Sequence, residues 1–106
     1  MVKFVVVLYR RPDVPVERFR EILSSDHARM AEALPGLLKY VQNHVADDPS
    51  RQHPGWDAVV ELFWADRAAM EVAWRSPVGR QATKHLSEFA DLTRTTWSVV
   101  KEDVRR

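Results

Sequence analysis

The feature that most restricts the possible folds is an abrupt stop at Leu34-Pro35-Gly36, where a helical pattern gives way to a strand pattern. Proline followed by glycine ends a helix, and residues 37–45 continue at once as a strand. So short a connection folds the strand back beneath its own helix. We therefore expect His27, on the helix, and Tyr40, on the strand, to lie near each other in a pocket.

The helix before this stop carries a stripe of apolar residues with one histidine in it. The stripe consists of Phe19, Ile22, Leu23, His27, Met30 and Leu34. Ser24-Ser25-Asp26 interrupts it with poor helix formers, so we expect a kink or a break there. A histidine titrates near neutral pH, and beside a phenol and apolar walls it suits proton transfer on a small organic molecule.

The rest of the chain adds three strand patterns and a second helical region. The strand patterns cover residues 4–9, 56–65 and 95–104. In the second helical region Asp66 is the expected N-cap of one helix, and Ser76-Pro77 opens another. The order β-α-β-β-α-β predicts an α+β, ferredoxin-like sandwich, with helices on one face of an antiparallel sheet.

Two of the strand patterns, 4–9 and 56–65, are apolar on both faces. An antiparallel sheet covered on one face normally alternates, because its other face meets water. A second copy of the same sheet is the simplest cover, so the expected assembly is a homodimer closed into an α+β barrel. Glu61 lies among these apolar residues, and a carboxylate there needs a partner. The expected partner is Lys101 or an arginine of the second copy.

Length and charge narrow the class of protein. The 106 residues suit a single domain, 1–106. A net charge of +1 argues against nucleic acid and membrane as partners. The absence of cysteine excludes disulfides and thiolate catalysis. The apolar run at 4–9 is too short for a signal sequence and lacks a small-residue cleavage site, which predicts a cytoplasmic protein.

The histidines do not form a metal motif. His27, His44, His53 and His85 include no short-spaced pair of the kind that binds metal on a helix, so no metal is expected. His53 precedes Pro54-Gly55 in a polar loop, where a lid and an exposed bystander are equally consistent with the sequence.

Several motifs together resemble the EthD family of dimeric α+β barrel proteins, over nearly the whole chain. They are Tyr9-Arg10-Arg11-Pro12-Asp13 followed by Phe19, His27, Leu34-Pro35-Gly36-Leu37 with Tyr40, and Phe63-Trp64. Relatives of this class include muconolactone methylisomerases and polyketide cyclases. The resemblance implies a cofactor-free enzyme that uses histidine and tyrosine in a pocket between helices and sheet. Many members have aromatic residues before the helix histidine, whereas this chain has Ser24-Ser25-Asp26, which indicates a different pocket shape.

The resemblance also suggests roles for individual residues. His27 is the expected catalytic base, Tyr40 the donor to a carbonyl oxygen, and His53 the partner acid. The expected substrate-binding residues are Tyr9, Met30, His44 and Trp64. The leading hypothesis is a cyclase-type lyase or isomerase that acts on a small ring-bearing carbonyl compound. The alternatives are a haem-linked or cofactor-free oxygenase and a non-catalytic module that binds a small molecule.

Overall fold

A computed structural model describes residues 1–51 and 55–106. The elements are β1 (Val2–Leu8), α1 (Val16–Ser24), α2 (Asp26–Glu32), β2 (Lys39–His44), β3 (Ala58–Trp64), α3 (Arg67–Arg75), α4 (Pro77–Leu86) and β4 (Thr96–Val100). The strands form one antiparallel sheet in the order β2-β3-β1-β4. This confirms the predicted α+β, ferredoxin-like fold, in which each helical region consists of two helices.

The break between α1 and α2 lies at the serines, as predicted. The Ser24 hydroxyl donates to the Arg20 carbonyl at 2.7 Å, and the Ser25 hydroxyl donates to the Glu21 carbonyl. Side chains that bond back to the preceding turn compete with the helical ladder and bend it. The backbone of Ser25 leaves the helical region, at φ −118° and ψ −94°. The chain therefore restarts in α2, with His27 in its first turn.

The second helical region is also delimited by its predicted caps. An Asp66 carboxylate oxygen accepts from the Ala69 amide at 2.8 Å, and the Ser76 hydroxyl oxygen accepts from the Gly79 amide at 3.1 Å. A β-carbon on Gly79 would lie 2.2 Å from the Ala73 carbonyl oxygen. Glycine at this position therefore allows α4 to start in close contact with the end of α3.

The turn after α2 is fixed against β3. Gly36 has a φ of +72°, the left-handed region that glycine adopts at little cost. The Trp64 indole donates to the Pro35 carbonyl oxygen at 3.0 Å. The chain therefore enters β2 beside β3, and its helix lies over the same face of the sheet.

The core lies between the helices and this face. Alternate side chains of β3 are buried there, as its pattern predicted: Ala58, Val60, Leu62 and Trp64. Phe4 and Leu8 of β1 lie beside them, and Phe19, Leu23 and Phe89 close the core from the helical side. Burial of these large side chains stabilises the fold by roughly 1.5–3 kcal/mol each.

The opposite face, called the open face below, carries half-buried valines at its centre. These are Val5, Val7, Val41 and Val59. Glu61 on this face pairs with Lys3 and not with Lys101, which was one of the two predicted partners. The reason is register: Val5 is opposite Glu61, so Lys3 lies diagonally across from the carboxylate. The other predicted partner, an arginine of a second copy, stays a prediction. The hydrogen bond from Lys3, followed by one from Asn43, lowers the pKa of Glu61.

The last strand is shorter than the sequence pattern indicated. It ends at Val100, whereas the pattern extended to Val104. Lys3 is the partner of Val100 and β1 begins at Val2, so the neighbouring strand offers only one further residue for pairing. Among the described residues, no helix has the length and apolar character needed to cross a bilayer.

Candidate active site

A cavity of about 540 Å³ lies between the helical layer and the sheet. Its size falls within the range of small-molecule pockets. Most of the wall is apolar, with Phe4, Leu62 and Val99 from the sheet facing Met70 from α3. Exposed residues that also line it, such as Trp97, mark where it opens to solvent. The cavity can hold a small, largely apolar molecule.

His27 forms part of this wall and is held by a second histidine. It is 7% exposed, and its Nδ1 lies 3.0 Å from Nδ1 of His85 on α4. The two rings stack, with centroids 5.3 Å apart and planes 11° apart. The buried ring of Phe89 meets His27 edge-on at 5.2 Å. The packing of α2 against α4 therefore fixes the orientation of the His27 imidazole.

The surroundings of His27 keep its imidazole neutral. Burial, and then the neighbouring His85, lower the pKa of His27 to about 4. Asp26 does not oppose this, because its carboxylate pairs with Arg29 on the exposed side of α2. With Nδ1 engaged by His85, Nε2 is the ring nitrogen without a hydrogen-bond partner in the described part of the chain. A neutral ring with a free nitrogen can accept a proton from a bound molecule.

Tyr40 lines the same cavity from β2. Its hydroxyl oxygen accepts a hydrogen bond at 2.8 Å from the Gln42 amide, which also donates to the Leu23 carbonyl oxygen at 2.8 Å. Burial raises the pKa of Tyr40, so the phenol keeps its proton at neutral pH. Since Gln42 donates to the oxygen, the O–H of Tyr40 remains available to donate to a ligand.

The ring of Trp74 also forms part of the cavity wall. Its indole Nε1 is buried and has no hydrogen-bond partner in the segments that the structure describes. The ring lies edge-on to Trp64, with centroids 5.5 Å apart. Because this nitrogen is buried and not exposed to the cavity, Trp74 contributes the apolar surface of its ring to the wall.

Four other predicted site residues, Tyr9, Met30, His44 and Trp64, are not part of this wall. The Arg94 guanidinium lies over the ring of Tyr9, with its Cζ atom 4.1 Å from the ring centroid. Trp64 is fully buried in the core. Met30 is half-buried on α2. His44 is exposed and donates from Nε2 to the Gln42 side-chain oxygen at 3.0 Å, so it contacts the residue that holds Tyr40. His53 lies outside the described residues.

Two residues of the site, His85 and Trp74, were not predicted from the sequence, whereas strand alternation placed Gln42 on the same face as Tyr40 without a role for it. For His85 a signal was present, because it stands three residues after Ala82 and four before Phe89, on the apolar stripe of its helix. Within residues 1–51 and 55–106, no group of three or more histidine, aspartate or glutamate side chains could hold a metal ion.

Fold and site together define a small ferredoxin-like α+β protein with a ligand-sized cavity between its helices and its sheet. The chain belongs to the EthD family, since the model of the EthD domain matches residues 11–93. This confirms the resemblance predicted from the sequence. No curated protein matches the chain.

Solved structures with the same fold include three that are informative. An EthD family protein of Bacillus halodurans is 21% identical, with a TM-score of 0.81 over 97% of this chain and 100% of that chain. A dimeric ferredoxin-like protein of Bacteroides fragilis is 22% identical, with a TM-score of 0.67 over 93% and 91%. SnoaB of Streptomyces nogalater, a cofactor-independent oxygenase, is 16% identical, with a TM-score of 0.67 over 99% and 93%.

Proposed function

We propose that this protein is a cofactor-independent lyase or isomerase, of the cyclase type, that acts on a small ring-bearing carbonyl compound. The observation that carries the proposal is the presence of His27 and Tyr40 in the wall of one apolar cavity. His27 offers a neutral imidazole and Tyr40 a protonated phenol, which are the base and the donor that proton abstraction next to a carbonyl requires.

In the proposed reaction, His27 Nε2 removes a proton from the carbon beside the carbonyl. The electrons of that C–H bond move into the carbonyl group, and negative charge develops on its oxygen. Tyr40 donates a hydrogen bond to this oxygen and so stabilises the charge. The proton then returns to another carbon, which completes an isomerisation. His53, outside the described residues, remains the predicted partner acid.

The apolar wall strengthens these interactions. Side chains such as Phe4, Leu62 and Met70 exclude water from the cavity, and hydrogen bonds to a developing charge are stronger where water is absent. The exposed pair of Arg67 and Glu71, joined by a salt bridge at 3.2 Å, also lines the cavity. Because these two charges are paired with each other, the cavity favours a neutral substrate over a charged one.

A cofactor-free oxygenase is the second candidate, favoured by the structural similarity to SnoaB, which is a cofactor-independent oxygenase. Removal of the same proton leaves an electron-rich anion that can react with oxygen directly. Oxygen uptake during turnover would favour this alternative over the isomerase. A haem absorbance band in the purified protein would favour a haem-linked oxygenase, and ligand binding without turnover would favour a binding module.

The first prediction tests proton abstraction with β-tetralone, a bicyclic aromatic ketone, dissolved in deuterated water. The protein should accelerate the exchange of the hydrogens beside the carbonyl for deuterium, which proton NMR follows as a loss of signal. Tyr40→Phe should slow this exchange by about 100-fold, because it removes the donor to the enolate oxygen while the ring still fills its place. Exchange no faster with the wild type than in buffer would contradict the proposal.

We also propose that residues 1–106, as one domain, form a homodimer through the open face. The open face presents Val5, Val7, Val41 and Val59, and none of the helices in the described segments covers it. The Bacteroides fragilis protein, which is similar in fold, is described as dimeric. Closing two such sheets face to face would bury the valines, and a stable dimer of this kind buries above roughly 2,000 Å² in total.

The second prediction concerns this dimer. Val59→Glu should convert it to a monomer at micromolar concentration, because it places two unpaired carboxylates in the centre of an apolar contact. Sedimentation velocity measures the change. Val72→Glu is the matched control, since Val72 is 56% exposed on α3, on the helical side of the sheet. A wild type that sediments as a stable monomer would rule out the homodimer.

A further inference from the structure

Three ionisable side chains form a line from the cavity to the surface. His27 lies in the cavity wall, and its Nδ1 is 3.0 Å from Nδ1 of His85. The other nitrogen of His85, Nε2, lies 3.7 Å from a carboxylate oxygen of Glu88. Exposure rises along the line, from 7% for His27 to 13% for the side chain of His85 and 68% for that of Glu88.

The order of these groups determines which nitrogen carries each proton. At 3.7 Å the Glu88 carboxylate is too far for a direct hydrogen bond, but its negative charge favours the form of His85 that carries a proton on the nearer nitrogen, Nε2. Neutral His85 then has a lone pair on Nδ1. Since only one of two facing nitrogens can donate, Nδ1 of His27 must carry the proton in this contact. Nε2 of His27 is then left unprotonated, which is the form that a base requires.

We propose that His85 and Glu88 are positioning residues that hold His27 in the tautomer with a free Nε2 and pass its proton towards the surface. The catalytic part of this proposal rests on the proposed function, whereas the tautomer of His27 follows from the three side chains alone. His85 touches His27 and does not line the cavity, so it acts through His27 rather than on the substrate.

The proposed relay moves a proton from the substrate through His27 to His85, and each step conserves protons and electrons. When Nε2 of His27 takes a proton from the substrate carbon, the broken C–H bond leaves its electrons on the substrate as an enolate. The Nδ1 proton of His27 moves to Nδ1 of His85, and the positive charge then lies on His85, beside the Glu88 carboxylate. Return of that proton to His27 releases the Nε2 proton to another carbon. Exchange with water occurs at His85, the half-buried end of the pair.

No other charged group on the neighbouring helices and strands belongs to this proton relay. Of all these groups, His85 is the one that acts on the pKa of His27. On α2, Asp26 pairs with Arg29 away from the cavity. The remaining ionisable side chains on α1, α2 and α4 are paired with each other, bonded to the backbone or exposed: Glu17, Arg18, Arg20, Glu21, Glu32, Arg80 and Lys84. From β2, Tyr40 faces the cavity with its proton retained.

The test is a long-range proton–nitrogen NMR spectrum of the protein labelled with ¹⁵N-histidine, at neutral pH. In the wild type, His27 should be protonated on Nδ1 and His85 on Nε2. His85→Asn, which keeps an acceptor near the position of Nδ1, should leave the His27 tautomer unchanged. His85→Phe, which keeps the stacked ring without the acceptor, should lose the Nδ1–H signal of His27. His27 protonated on Nε2 in the wild type, or an unchanged tautomer in His85→Phe, would overturn the proposal.

Two further measurements separate the relay from the proposed function. Glu88→Gln should reduce the share of His85 protonated on Nε2, and an unchanged share would remove Glu88 from the relay. Exchange of β-tetralone in the His85 variants reports on catalysis. If the tautomers are as proposed but the wild type exchanges nothing, the tautomer assignment stands and the function is wrong. If His27 is required for exchange but carries its proton on Nε2, the function stands and the relay fails.

Discussion

Replacing His27 with glutamine should lower the rate of β-tetralone exchange by about 1,000-fold, the usual contribution of a general base. Glutamine has a similar length and can hydrogen-bond with His85, but it cannot accept a proton at neutral pH. Lys84→Gln is the control, because it changes an exposed side chain on α4 that lies outside the cavity wall. A His27→Gln protein with the wild-type rate would show that the histidine has a structural role only.

The pH dependence of the rate makes this prediction sharper. Only the neutral imidazole accepts a proton, so activity falls as pH drops through the pKa of His27. That pKa is lowered to about 4 by burial and by His85. The rate should therefore stay constant from neutral pH down to about pH 5, where an exposed histidine with a pKa of about 6.5 would already be protonated. Residual exchange in His27→Gln should lack this acid limb.

The pKa also shows how far the sequence can predict the site. An apolar stripe around His27 predicts burial, and burial lowers the pKa of a histidine, which agrees in direction with the lowered pKa in the structure. The additional lowering comes from His85, which lies 58 residues further along the chain. Which residue of α4 meets His27 depends on how two helices pack, and no local pattern specifies that.

Local features were predicted well because their causes are local. The break at Ser24-Ser25, the caps at Asp66 and Ser76 and the stop at Pro35-Gly36 each depend on bonds within a few residues. The order of strands and helices along the chain followed from these local signals. The contacts of Gln42 and the unpaired indole of Trp74 were missed for the opposite reason. The Gln42 amide joins the Leu23 carbonyl on α1 to the Tyr40 hydroxyl, and the Trp74 indole is notable only because its surroundings leave it without a partner.

The stability of the folded protein should decrease by about 3 kcal/mol as pH falls from about 6.5 to about 4, through His27 alone. In the unfolded chain the histidine has an ordinary pKa of about 6.5, whereas in the folded protein the pKa is about 4. Between these values the unfolded state binds more protons, so acid favours unfolding. Carboxylates with lowered pKa values, among them Asp13, Asp48 and Asp91, lose their contribution only at lower pH.

Urea unfolding at a fixed protein concentration, repeated at several pH values between about 7 and about 4.5, measures this dependence. The fixed concentration removes the contribution of dimer association. His27→Gln does not titrate in this range, so its free energy of unfolding should be nearly constant there, whatever its value at neutral pH. His44→Gln removes an exposed histidine and should keep the wild-type slope. An equal slope in His27→Gln and the wild type would mean that the His27 imidazole is not buried in its neutral form.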